Sequence, residues 1–404
     1  MVYSYPAKVV QLLGGADKRR VEALIRAAEA RIADRPVLRG EALPGNAWEN
    51  YDLALAEVRK ITSRAPISDL VNRNARADIP VVRKILETHG AVIDQMRRGT
   101  RRAVGQVPFE WERRGDEYRS QFTMILAQLA VCRARLDLQD GRARAASDLL
   151  LDLCQFARDL GHNSSHTSAM ISMFIYWLAF EDLRDALRPG RLSPQDLREI
   201  DRELALIDRI FPDVQASILN DTADVGRRFL RGELLIMKSD FSGLESCPPT
   251  WRYLWSGPLM AADTFEFQDR MALRDAGAEA LSWGEEQRIM TESEAERGRS
   301  ANPIVQAWSK TRVAFSASTP SCTFRDGRAR LRLLRIATRF LACDEVLDLD
   351  DPFGSKLRHE AAGSRLKAWS VGADGRDDGG AGDWARNAKD LVLEVGPPSP
   401  PNPR

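Results

Sequence analysis

The 404-residue chain carries 59 basic and 58 acidic side chains, a net charge of +1, with 44% apolar and 29% charged residues. That composition excludes a disordered polyelectrolyte and a bulk field that would favour nucleic acid or an acidic membrane, and the length fits one large and one small unit. The five cysteines, Cys132, Cys154, Cys247, Cys322 and Cys343, are odd in number, far apart and without a CxxC pair, which indicates reduced, mostly buried thiols and no disulfide framework or zinc site.

The opening MVYSYPAKVVQLLGG has neither a basic n-region nor a long apolar run, so no signal peptide is expected. The longest apolar stretch, Ala169 to Phe180, is shorter than the roughly 20 residues a spanning helix needs. A soluble, cytoplasmic chain without a membrane anchor is expected.

In chain order, Lys18 to Ala33 spaces Val21, Leu24, Ile25, Ala28 and Ile32 as on one helical face, ending before Pro36. Asn46 follows a Pro-Gly turn and is a good N-cap for a helix burying Tyr51, Leu55 and Val58. A looser region through Pro66 and Pro80 precedes a third helix, from about Val81 to Arg98. Arg119 to Leu138 and Arg142 to Leu160 form the most regular part, two antiparallel helices joined by a tight turn at Gly141 and stopped at Gly161. No second copy at a fixed period accompanies them, so a repeat array is not expected.

The helix that begins in HNSSHTS and runs through AMISMFIYWLAFEDLRDAL to Pro189 has a centre that is apolar on every side, which predicts a place in the middle of the bundle. Ser193-Pro194 then opens another helix, with Asp196 in its first turn. Val214 to Lys238 reads as a further long helix after Pro212, and Asp240 to Pro258 as a Pro- and aromatic-rich connection. Helical character resumes over Met260 to Leu281, Gly284 to Gly298 and Arg328 to Cys343. The predicted fold is therefore mainly α, a multi-helix bundle of antiparallel helical hairpins with a small α+β C-terminal module. Its expected parts are residues 1–320, with a sub-boundary at 240–258, a module over 321–395, and a disordered Pro-rich tail over 396–404.

The stretch with the most distinctive chemistry is Trp369 to Asp390. Asp374, Asp377, Asp378, Asp383 and Asp390 are interleaved there with five glycines. Glycines let a short backbone wrap a small object, and gathered hard oxygens suit Ca²⁺. The spacing is not that of an EF-hand, since position 12 counted from Asp374 is Ala385. The same composition also describes a solvated acidic turn.

The runs DPFGSKLRH, WSVGADGRDDGG and KDLVLEV resemble the C-terminal part of the major pseudopilins of bacterial type II secretion, and also the ending of large bacterial helical proteins. The resemblance covers Asp351 to Val395 and implies a calcium loop that closes a small module. It assigns the ion to the Val371 carbonyl, Asp374, Asp377 or Asp378, and Asp390. The pseudopilin's N-terminal membrane helix and its glycine-tyrosine-proline segment have no counterpart in this sequence, so a piliated or membrane-extracted role is not implied.

Two further patterns carry alternatives. His162 and His166 stand four apart, a spacing that on a helix puts both rings on one face and would serve a helical hydrolase or ligand-binding enzyme; in GHNSSHTS the same residues also read as a loop with an N-cap. Arg328, Arg332, Arg335 and Arg339 form one stripe, which reads as a solvated or salt-bridging face or as a surface for an anionic partner. No phosphate loop, G-x-S-x-G elbow, H-E-x-x-H or dinucleotide fingerprint occurs in the sequence. The expected function is a non-enzymatic interaction or scaffold protein with protein partners, no nucleic acid, and a structural Ca²⁺.

Overall fold

A computed structural model describes residues 2–4, 23, 37, 41–105, 116–161, 166–212, 235–237, 282–299, 318–384 and 389–396. The chain divides into two compact units. One comprises Met1–Ala33, Asn163–His166 and Asp213–Thr323, and the other comprises Asp34–His162, Thr167–Pro212 and Phe324–Arg404. The predicted helix over 18–33 (Ala23 apart), most of the predicted helix over 214–238, the connection over 240–258, the predicted helix over 260–281 and the proline tail beyond Gly396 lie outside the described residues.

In the first unit, β1 (Val2–Ser4) pairs antiparallel with β4 (Leu235–Met237). Leu235 to Met237 falls inside the stretch whose periodicity predicts a helix. A short apolar run has no preference strong enough to resist a strand partner supplied by a distant segment. The same unit contains α9 (Trp283–Arg299).

The second unit begins with β2 (Leu43–Asn46) and α1 (Ala47–Val58). Asn46 caps α1 by accepting from the Trp48 N–H, and Glu49 reaches back to the Asn46 N–H, a reciprocal capping box. α2 (Ala65–Val71) forms where the sequence suggested looseness. Pro66 sits in its first turn, where its missing N–H would have had no intrahelical partner. The single helix expected over 81–98 is two, α3 (Ile79–Thr88) and α4 (Ala91–Thr100), broken at His89-Gly90. β3 (Arg102–Val104) returns to pair in parallel with β2.

α5 (Asp116–Gln139) and α6 (Ala143–Gly161) form the predicted hairpin, with Gly141 at φ 77° making the turn. α7 (His166–Ala186) and α8 (Pro194–Arg209) follow, α8 with a Ser193–Asp196 capping box. α10 (Ser318–Cys343) starts ten residues before the expected Arg328. Gly327 on it lets Met173 and Phe211 approach closely, since a Cβ there would collide with the Met173 methyl.

The helix buried on all sides from Leu149 onward is α6, and α7, despite its apolar centre, is not. Every α6 residue from Leu149 to Gly161 is buried, whereas Phe174 of α7 is 38% exposed. The buried acids of α6 find donors. Asp152 accepts from Arg97 Nε at 2.8 Å, and Asp159 accepts from the Tyr51 hydroxyl at 2.7 Å and Gln155 Nε2 at 2.9 Å. Uniform apolarity says a helix tolerates burial; the number of helices available to cover it is decided by topology. Among the described residues, no helix is long and apolar enough to cross a membrane.

After α10 the chain forms a three-stranded antiparallel sheet, β5 (Arg358–Ala362), β6 (Arg365–Ser370) and β7 (Leu391–Val395), with β6 in the centre. Its register pairs Ser370 with Leu391. The glycine-rich loop is therefore pinched at its neck by the last pair of the β6–β7 ladder. The fold is mainly α with small β elements, as the pattern predicts.

Candidate functional site

The loop between β6 and β7 is anchored first by a residue upstream of the sheet. Asp351, in the DPF turn, is 3% exposed. One of its oxygens accepts from the Phe353 N–H at 2.9 Å and the Ser370 hydroxyl at 2.7 Å, and the other from the Val371 N–H at 2.9 Å. Burial pushes its carboxyl above the usual carboxylate range, while these three donors pull the other way. The turn is thus stapled to the start of the loop.

Asp390, at the far end of the loop, is fully buried. It accepts from the Gly380 N–H at 2.7 Å and the Asp378 N–H at 3.4 Å. Gly380 has φ 69°, a left-handed conformation that favours glycine, and a Cβ there would lie 2.6 Å from the Lys367 side chain. Gly382 presses against the backbone of Asp390, whose carbonyl oxygen a Cβ would overlap. The glycines bring backbone close to a buried carboxylate, which then takes up amide hydrogens that have no strand partner.

The other sequence-predicted residues are arranged as follows. Val371 is buried at the neck. Asp374 is exposed and accepts from the Arg376 N–H at 3.0 Å, an Asx-type turn. Asp377 accepts from Trp369 Nε1 and from the Gly379 N–H, both at 3.0 Å, and its oxygen lies 3.4 Å from Arg358 Nε. The Trp369 hydrogen bond, then the Gly379 one, hold its carboxyl below the usual range. Asp378 brings its backbone N–H to Asp390, with its own side chain exposed. The structure therefore joins Asp378 and Asp390 through the backbone, and leaves Asp374 within its own turn. Among the described residues, no three His, Cys, Asp or Glu side chains stand together as a metal-holding group. By chemistry the donors are hard oxygens that suit Ca²⁺, and in this arrangement Asp374, Asp377 and Asp390 accept N–H groups.

The loop is seated by a residue that belongs to no motif of the sequence. Trp384 is 5% exposed, its ring lying 4.9 Å from the Arg330 guanidinium and 5.7 Å from that of Arg184. Arg330, fully buried on α10, donates to the Trp384 carbonyl at 2.7 Å and to Asp326 at 2.8 Å. The available signal was a large aromatic side chain in an otherwise Gly- and Asp-rich loop, a residue type that seldom faces solvent in such company.

The arginine stripe is answered by α8. Asp208 receives Arg335 Nη1 at 2.7 Å and Arg332 Nε at 3.2 Å. Arg339 Nε reaches Glu345 at 2.9 Å, and Arg332 Nη1 donates to the Asp350 carbonyl at 2.8 Å. Arg328 lies over the Phe211 ring at 5.6 Å. The stripe ties α10 to α8 and to the segment leading into the sheet. Of the histidine pair, His162 and the side chain of His166 lie outside the described residues.

The fold and loop define a mainly helical protein whose small C-terminal sheet is closed by carboxylate–amide bonds. Comparison with protein-family models, curated proteins and solved structures gives no match.

Proposed function

We propose that this chain is a non-enzymatic interaction or scaffold protein whose C-terminal module is stabilised by calcium. The observation that carries the reading is the use of the C-terminal module's acids: Asp351 and Asp390 are buried and employed in holding backbone. In the helical body the acidic side chains are likewise engaged by arginines, as Asp182 is by Arg135 at 2.9 Å. The buried Cys132 thiol is pushed up to about 12 by burial, and Cys154 is raised further by the same cause, so both are inert as nucleophiles at neutral pH. These arrangements suit a body that presents a fixed surface.

In this proposal the Val371 carbonyl, Asp374, Asp377 or Asp378, and Asp390 hold the ion. Bound Ca²⁺ supplies positive charge that offsets the mutual repulsion of the loop carboxylates. Its effect follows mass action, about 2.7 kcal/mol when free calcium is a hundred times the dissociation constant. Thermal melts in millimolar calcium and in chelator are expected to differ, and Asp374→Ala is expected to erase the difference. Identical melts for the wild type in the two buffers would remove calcium from the proposal.

A further inference from the structure

We infer that Trp384 is a latch through which the state of the C-terminal loop is felt by the helical body. The inference rests on the proposed closing role of the loop, and it holds whether or not calcium is the closing agent. On the loop side, Trp384 follows Asp383, whose carbonyl accepts from the Val392 N–H at 2.9 Å and which forms a parallel bridge with Leu391. The loop is drawn to the same strand by the Asp390 carboxylate, through Gly380. The backbone leading into Trp384 is therefore set by the same contacts that close the loop on β7.

On the body side, Trp384 meets two helices at once. From α10 comes Arg330, which lies over the indole and donates to the Trp384 carbonyl. From α7 comes Arg184, on the same ring, and Glu181, whose carboxylate lies 3.6 Å from Arg330 Nη1 and 3.4 Å from Arg184 Nη2. Arg330 is the most deeply buried cation of this group. A guanidinium in that position is held by the sum of its partners, among them Asp326, Glu181 and the Trp384 carbonyl and ring. When the loop opens and carries Trp384 away, a buried charge loses a hydrogen bond and a π face. The two helices that hold it must then loosen or rearrange, and this is the route by which the loop would reach the body. Ordinary core packing predicts otherwise, with opening confined to the loop and sheet.

Hydrogen exchange on the full chain separates these outcomes. Wild type, Asp390→Asn and Trp384→Leu are compared in millimolar calcium and in chelator, reading the α7 segment Leu178 to Ala186 and the α10 segment Asp326 to Leu334. Both variants are expected to speed exchange there by about tenfold, the factor that roughly 1.4 kcal/mol produces. Trp384→Phe is expected to stay near the wild type, because the Trp384 indole N–H has no hydrogen-bond partner among the described residues. Faster exchange confined to 371–396, with both helical segments at wild-type rates, overturns the latch. Should Trp384→Leu fail to fold, Asp390→Asn decides by the same two segments. Calcium without effect on the wild type would remove the ion and leave the latch standing, whereas unmoved helices in Asp390→Asn would remove the latch and leave calcium standing.

Discussion

Acidic side chains in the helical body and in the C-terminal loop solve the same problem with different partners. In the body, buried Asp182 takes Arg135, from α5, at 2.9 Å and Arg73 at 3.1 Å, and Asp152 takes Arg97 from α4 at 2.8 Å. At the C-terminal loop, Asp351 from the turn ahead of the sheet and Asp390 at the loop's end take backbone N–H groups and one hydroxyl from within about twenty residues of themselves. The body thus uses charge against charge across helices far apart in sequence, and the loop uses charge against the peptide dipoles of its own turns. A long-range ion pair fixes which helices meet. A carboxylate on local amides fixes the path of one segment.

The comparison is broken hardest at Asp182. Asp182→Ala leaves Arg135, itself donating to the Leu70 and Val71 carbonyls, buried without its carboxylate, and is expected to cost about 3–5 kcal/mol in denaturant unfolding. The whole helical unit should lose stability together. Asp351→Ala removes the acceptor from two N–H groups and a hydroxyl, with an expected cost of about 1–3 kcal/mol. Its effect should be local, with faster exchange in 351–396 and unchanged protection in α5 and α6. A global loss comparable to that of Asp182→Ala would erase the distinction drawn between the two regions.

The smallest expected effect is at Asp201. Its contacts with Arg335 and Arg339 are long, 3.9 and 3.7 Å, and burial raises its carboxyl above the ordinary range despite both arginines. A raised acid favours folding below its unfolded-state pKa, and that contribution is lost as pH rises through the raised value. Asp201→Asn is therefore expected to change stability by less than about 1 kcal/mol near neutrality. The stability advantage of wild type over variant should fall, not grow, as pH rises from the ordinary aspartate range. An advantage that grows with pH would mean that the pair with Arg335 and Arg339 outweighs burial.

Several features were legible in the sequence because their causes are local. The Asn46 and Ser193 caps, the Gly141 turn between α5 and α6, and the position of the glycine-rich loop all follow from side chains acting on their own neighbouring backbone. The break at His89-Gly90 and the helix at Pro66 are not legible in the sequence, since propensity alone does not say whether a helix runs through a weak point. The short β1–β4 and β2–β3 pairs carried almost no signal, because three- or four-residue strands exist only by virtue of a partner elsewhere in the chain.

The sequence by itself determined a mainly helical chain, its principal helices from Arg119 to Arg209, and an acidic glycine-rich loop ahead of a closing strand. The tertiary structure decided that α6 is the enclosed helix, that the arginine stripe faces Asp208, and that Trp384 carries the loop to Arg330 and Arg184. The division has one physical origin. Caps, turns and amphipathic faces depend on residues within a few positions of one another. Which face is covered and which charge meets which depend on contacts between segments far apart in sequence, from Asp152 with Arg97 to Asp208 with Arg335.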